Sequence, residues 1–327
     1  MHMSDALVSP AVAITAGAVS VALLVIASRK VKRERNDKII PLMGVMGAFI
    51  FAAQMINFTI PGTGSSGHII GGLLLAAILG PWAGLLVVAS VLLIQCLVFA
   101  DGGLMALGCN ILNMGVTSCL VAYPLIFKPI MRYPASWGRL FTASLTACVA
   151  ALELGALAVT LETEASGVTP LPVGQFLLFM LPIHLLIGAG EGVATAAILY
   201  FVQQYKPELL VEFRHTLPDR RRNCHWGKAL IVFGLIAGFF AIGFKWIASS
   251  NPDGLEWSIW HTLGGGEIAQ TNTMQSVAGE IQKTTALMPD YGSSLSGIVG
   301  ALLVLLLTWG LSSLLKRRRR AHFDEDE

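Results

Sequence analysis

The sequence predicts an all-α protein that crosses a membrane about nine times, and three observations carry that reading. Only 13% of the 327 residues are charged and 54% are hydrophobic, whereas soluble domains carry about a quarter charged residues. The apolar residues fall in long runs separated by short polar loops, which excludes one or two ordinary globular domains. Basic residues gather at the ends of those runs. Arg29, Lys30, Lys32, Arg33, Arg35 and Lys38 follow the first. Arg214, Arg220, Arg221 and Arg222 precede the eighth, and Lys316 with Arg317 to Arg320 closes the last. Such charge sets orientation in a membrane, so lipid is the expected neighbour and nucleic acid is not an expected partner.

The spans read as 10–28, 40–58, 69–80, 82–99, 104–127, 138–160, 173–203, 228–248 and 295–315. Positive charge follows rather than precedes the first run, which opposes a cleaved signal peptide and predicts an N-terminus outside. Nine crossings then leave the C-terminus in the cytoplasm. Loops 29–39, 128–137 and 204–227 carry the Lys and Arg, whereas 59–68, 100–103, 161–172 and 249–294 are nearly free of them apart from Lys283. The positive-inside rule therefore agrees with the count.

Span 69–80 stands apart. Twelve helical residues rise about 18 Å, against a hydrocarbon core of about 30 Å. Gly80-Pro81 then breaks it, because proline removes a donor and disfavours helix in the residue before it. A short broken helix at membrane depth must be buried in protein or line a cavity. The chain divides into a seven-span part, 1–205, a basic linker, 206–227, and a two-span module, 228–327, around the polar loop 249–294. None of the five cysteines (Cys96, Cys109, Cys119, Cys148 and Cys224) has CxxC spacing, so neither disulfides nor a thiolate metal site is expected.

Candidate chemistry begins at the N-terminus. His2 is too bulky for usual removal of the initiator, so Met1 is expected to stay. Its amine, the His2 backbone nitrogen and the His2 imidazole form two fused chelate rings. Three nitrogens in a plane suit Ni(II), Cu(II) or Co(II) better than tetrahedral zinc. Taken alone, this pattern leaves open a metal site and an accident of sequence. His68 ends the run Pro61-Gly62-Thr63-Gly64-Ser65-Ser66-Gly67 on the same predicted side, and can supply a fourth nitrogen or be a solvated loop residue. The run is not a phosphate loop, since His68-Ile69 stands where Lys-Ser/Thr is required. Asp101-Gly102-Gly103 forms another outer turn, with Asn110 and Asn113 beyond it. His184 and Glu191, seven apart, share a helix face, and Glu153 lies in the sixth span. Ionisable groups at membrane depth mark function or tie helices together. No hydrolytic or nucleophile–base motif is present.

These residues resemble the CbiM/NikM family, the substrate-capture (S) components of energy-coupling-factor transporters for cobalt and nickel. The likeness lies in Gly67-His68-Ile69-Ile70-Gly71-Gly72, Leu73 through Gly80-Pro81, Gln95 through Phe99, Asp101-Gly102-Gly103-Leu104, Leu107-Gly108-Cys109-Asn110, Asn113-Met114, and His184 with Glu191-Gly192, and covers 1–205. Asn251-Pro252-Asp253-Gly254-Leu255-Glu256 and Met288-Pro289-Asp290-Tyr291 resemble the small PDGLE-type N component, here fused. The resemblance implies a transported Ni(II) or Co(II) ion, no permanent cofactor, and ligands from the Met1 amine, the His2 amide and imidazole, and His68. It also implies a separate transmembrane coupling (T) protein and cytoplasmic ATPases, the chain itself being no enzyme. Around that site, Ser66, Asp101, Asn110, His184 and Glu191 are candidates to orient ligands or gate. Asp253 and Glu256 are candidates to attract the cation from loop 249–294. The family start is commonly Met-His-Ile, then an acidic residue and Gly, whereas this chain has Met3, Ser4, Asp5 and Ala6, which leaves the metal preference open. An alternative reading is a gradient-driven carrier or channel with His184, Glu191 and Glu153 as a proton relay.

Overall fold

The computed structural model describes residues 1–33, 39–131, 135–213, 227–265, 268, 272–291 and 295–324. Arg35, Lys38, Arg132, Arg214, Arg220 to Arg222, Cys224 and Glu267 lie outside the described residues, as do the side chains of Lys316 and Arg317 to Arg320. Five helices are long and apolar enough to span a membrane: α1 (Pro10–Arg33), α4 (Pro81–Phe99), α5 (Leu107–Ile130), α6 (Trp137–Ser166) and α7 (Val173–Tyr205). Shorter apolar stretches are α2 (Ile39–Gln54), Gly227–Gly243 within α8 (Gly227–Ile247) and Ser296–Leu311 within α11 (Ser296–Asp324). With the eight-residue α3 (Gly72–Leu79) they make nine apolar helical segments among the described residues, as the sequence predicts.

The broken span is shorter than expected. Residues 68–70 lie outside helix and strand, Gly71 turns at φ +75°, and α3 then runs only to Leu79, every residue buried. Gly80, at φ +95°, and Pro81 turn the chain into α4. The two helices lie so close that a Cβ on Gly84 would sit 3.0 Å from the Ala76 nitrogen. Backbone freed from helix at this depth needs partners. The Ile70 carbonyl accepts from Gln54 Nε2 (2.7 Å), and the Ile70 and Gly71 N–H groups donate to Glu191 (2.8 and 2.9 Å).

Three regions read as loops prove to be built structure. Residues 59–68 contribute to a hairpin of β1 (Phe58–Ile60) and β2 (Ser65–Gly67), with Thr59 opposite Ser66. The polar loop 249–294 contains α9 (Gly254–Leu263) and α10 (Thr273–Thr285). Each opens with a capping box, Asp253 with Glu256 and Asn272 with Gln275, satisfying N–H groups that a helix start leaves bare. The start of the basic linker packs on the bundle as two 3₁₀ turns, with Leu209 and Phe213 buried and the Tyr123 hydroxyl donating to Glu212 (2.8 Å). Helix α11 crosses α2 closely, since a Cβ on Gly47 would lie 2.9 Å from Val304. The C-terminal module is thus packed into the bundle, and α9 and α10 fold across the end where β2 and the N-terminus lie.

Candidate functional site

The N-terminal peptide is buried like a ligand. Met1 is 4% exposed and Met3 fully buried. Asn110 clamps the Met3 backbone from both sides: its Oδ1 accepts from the Met3 N–H (2.8 Å) and its Nδ2 donates to the Met3 carbonyl (3.2 Å). The Gly103 N–H donates to the same carbonyl (2.8 Å). Two residues on, Asp5 accepts from the Ala106 N–H (3.0 Å), while Gln275 of α10 donates to the Asp5 carbonyl (2.8 Å). Burial raises the Asp5 carboxyl pKa, opposed by the N–H donors around it. The glycines after Asp101 make room for this peptide. Gly102 sits at φ +81° with His2 against it, and a Cβ on Gly103 would run into the Asp5 carboxylate.

His68 leaves β2 at the floor of the same end. The hairpin turn uses Gly62 and Gly64 at φ +78° and +74°, which glycine tolerates without Cβ strain. Gly67 fits because a Cβ there would meet Ile187 of α7 at 2.5 Å. Ser66 binds the hairpin to the C-terminal module, its N–H donating to the Pro252 carbonyl and its hydroxyl to the Asn251 carbonyl, both at 2.8 Å. Trp257 Nε1 donates to the Thr63 carbonyl (2.9 Å). His68 Nδ1 lies 3.3 Å from the Ile69 carbonyl, a placement that suits a proton on Nδ1 and makes Nε2 the accepting nitrogen. That Nε2 is 3.3 Å from the Met1 nitrogen, and the His2 and His68 rings lie 5.2 Å apart at 45°.

Two carboxylates flank these nitrogens. Asp253 Oδ2 is 2.8 Å from the Met1 ammonium, while its Oδ1 accepts from the Glu256 N–H (2.8 Å). One side chain therefore pairs with the N-terminus and caps α9. Asp101 Oδ1 lies 3.6 Å from His2 Nδ1, and its Oδ2 accepts from the Tyr291 hydroxyl (2.6 Å). Burial alone would raise the Asp253 pKa, but the adjacent ammonium overrides it and holds it well below the usual carboxylate range. Burial raises Glu256, with the Asp253 charge adding to it, and burial with the Asp101 charge raises Tyr291. Burial first, then the charges of the amine and His2, lower His68 to about 3. Burial lowers His2 as well, against the pull of Asp101. Both rings are therefore neutral at pH 7, the form that binds metal. A cleft of about 490 Å³ opens over them, lined by His2, His68, Asp101, Asp253, Glu256 and Tyr291. Among the described residues no three His, Cys, Asp or Glu side chains converge as a metal cluster.

The structure thus brings together Met1, His2, His68, Asp101 and Asp253, with Ser66, Asn110 and Glu256 holding them. Asp253 is not a remote attractant on a loop but touches the amine itself, because the fold of 249–294 carries it there. His184 and Glu191 do not join the cluster, nor do they bond each other. Glu191 spends both oxygens on Ile70 and Gly71, and His184 Nδ1 lies 2.8 Å from the Met180 carbonyl of its own helix. Among the described residues, His184 Nε2 is buried without a partner, beneath Gly254. Glu153 also keeps one buried oxygen unpartnered. Sequence reasoning missed Asp5, Gln275, Gln282, whose Nε2 donates to the Gly102 carbonyl (2.7 Å), and Gly155, which lies against the Met1 side chain. The capping spacing Asn272…Gln275 was a legible sign of α10, but nothing in the sequence marks Gly155.

Residues 2–209 match the family model "CbiM: Cobalt uptake substrate-specific transmembrane region". The chain belongs to this family. Residues 227–317 match the PDGLE domain. This CbiM-family chain is similar over nearly its whole length to two fused proteins. One is the fused nickel transport protein NikMN of Rhodobacter capsulatus (30% identity, 97% of this chain and 99% of that protein). The other is the putative fused NikMN of Archaeoglobus fulgidus (30%, 95% and 98%). A crystal structure described as a transition metal transporter is 30% identical, covers 68% of this chain and 100% of its own, and superposes with a TM-score of 0.57.

Proposed function

We propose that this chain is the capture subunit of an ATP-driven importer for Ni(II) or Co(II), gripping the ion with the Met1 amine, the His2 amide nitrogen and Nδ1, and His68 Nε2. The approach of the Met1 amine to His68 Nε2, 3.3 Å across 67 residues of sequence, carries the reading. Adjacent ligands in a square plane lie roughly 2.8 Å apart if metal–nitrogen bonds are about 2.0 Å, so the two nitrogens need close only by about half an ångström. His68 Nε2 already faces the amine nitrogen. Loading requires the ammonium and the His2 amide each to lose a proton. A bound amine keeps N–H groups, so Asp253 can go on accepting from it, while Asp101 faces the nitrogen that His2 must offer. The two carboxylates also offset the charge of the entering cation.

Nickel is favoured over cobalt, since the relatives that match both parts of the chain carry nickel transport in their names. The charge asymmetry of the loops favours an N-terminus outside and a cytoplasmic C-terminus, and the bacterial and archaeal relatives favour a prokaryotic cell membrane. Nothing in the chain resembles a nucleotide-binding motif, so energy comes from ATPase subunits through a coupling protein. Ala11, Ala18 and Ala22 form an exposed small-residue face of α1 that such a partner helix can approach. The test is nickel titration of the purified chain, its free Met1 verified by mass, with absorption spectroscopy. A planar Ni(II) band that disappears in His68→Ala and in a variant with one residue inserted before His2 supports the reading. Unchanged binding by the insertion variant overturns it.

A further inference from the structure

Chain termini are ordinarily frayed, yet the Met1 side chain is buried within the apolar core. Its seat is on α6. A Cβ on Gly155 would lie 2.6 Å from Met1 Cε and 3.4 Å from its Sδ. Glycine is disfavoured in a helix interior, so its presence in the middle of α6 calls for close approaches, and two are made there, by the Asn113 carbonyl at 2.5 Å and by Met1. On the other side of His2, the Met3 backbone is fixed by Asn110 and Gly103. The peptide is therefore anchored at residue 1 by its side chain and at residue 3 by its main chain, with His2 packed on Gly102 between them. Two anchors that close leave little freedom to the amine and the His2 peptide plane.

We propose that Gly155 forms a socket for the Met1 side chain, and that the seated side chain is a positioning group for metal capture. The inference rests on the proposed metal reading. In a free peptide beginning X-His, the chelating nitrogens are the same whatever X is. In this fold the identity of X matters, because the amine reaches Asp253 and His68 only if the side chain fills its seat. An unbranched, flexible thioether suits a narrow slot beside a helix backbone. Met1 is then needed for its side chain as well as its amine.

The experiment uses the full chain made behind a cleavable leader, with proteolysis leaving Met, Leu or Ala before His2. Free N-termini are checked by mass, and nickel affinity is measured by competition with a chelator. The Met form is expected to bind as the native chain does, and the Leu form within a few-fold of it. The Ala form should bind about tenfold or more weakly, through lost pre-organisation, while keeping the same absorption band, since its ligands are unchanged. Gly155→Ala, which fills the socket, should weaken the Met form and add little to the loss in the Ala form. Equal affinity of the Ala and Met forms overturns the socket alone. An equal penalty from Gly155→Ala in both forms does the same, since a Cβ there also meets the Asn113 carbonyl at 2.5 Å. A Met form that binds no nickel overturns the metal reading and this inference with it.

Discussion

Glu191→Gln tests the static role that the structure gives this residue. Its side chain is 1% exposed, and its oxygens accept from Ile70 N–H at 2.8 Å and Gly71 N–H at 2.9 Å. Glutamine keeps the shape and one accepting oxygen, but turns an NH₂ group toward the other N–H. The loss is one hydrogen bond and one buried N–H left without an acceptor, together about 2–4 kcal/mol. At about 2 °C per kcal/mol for a chain of this size, the melting temperature should fall by about 4–8 °C. The damage lies two residues from His68, at the turn that sets its direction, so nickel affinity should fall about tenfold or more, each 1.4 kcal/mol being a factor of ten. That share should vanish in a His68→Ala background, because it acts through His68. Thermal melts and nickel titrations of the purified chain measure both. Unchanged melting and affinity would refute the argument. Metal uptake without ATPase partners that Glu191→Gln abolishes would instead favour a proton-driven carrier.

Four further outcomes follow from the same geometry. Asp253→Asn keeps the cap on α9 and loses the charge beside the amine, whereas Asp253→Ala loses both. Melts should therefore rank native above Asn above Ala, the last step being about 1 kcal/mol, and equal Asn and Ala values would contradict the dual role. His68, lowered to about 3 by burial, and His2, lowered likewise, stay neutral in the fold while the unfolded chain protonates near 6.5. The unfolded state thus binds more protons in that window, so metal-free stability should be greatest above 6.5 and fall as pH drops toward 3, a slope that His68→Gln reduces. For the same reason nickel binding at pH 7 should release about two protons, from amine and amide, as calorimetry in buffers of different ionisation enthalpy can count. Gly103→Ala forces a methyl into Asp5 and should cost about 1–3 kcal/mol, while Gly174→Ala, with nothing within 4 Å, should cost nothing.

The membrane helices and the candidate ligands were legible because each rests on local or additive properties. A run of apolar residues reads the same wherever it packs, and loop charge adds up along the chain. Gly80-Pro81 announced the break in the third span, though only tertiary packing shortened α3 to Gly72–Leu79. The hairpin at Phe58–Gly67 and the helices within 249–294 were harder to read. They are short, polar on the surface, and stabilised by partners far off in sequence, such as Pro252 for Ser66 and Asp5 for Gln275. His184 and Glu191 looked like a pair because seven residues place them on one helix face, but separation along a helix says nothing about what packs opposite.

By itself the sequence determined the solvent this chain folds in and the number of its apolar helices, and it raised Met1–His2 and His68 as candidate nitrogen ligands. Those follow from composition, periodicity and the chemistry of residue types. Only the tertiary structure decided that the amine would meet His68 rather than water, that Asp253 from the far end of the chain would pair with it, and that Gly155 would give Met1 a seat. Contacts across 67 and 252 residues have no local signature, because they arise from burial, close packing and the need of every buried polar group for a partner.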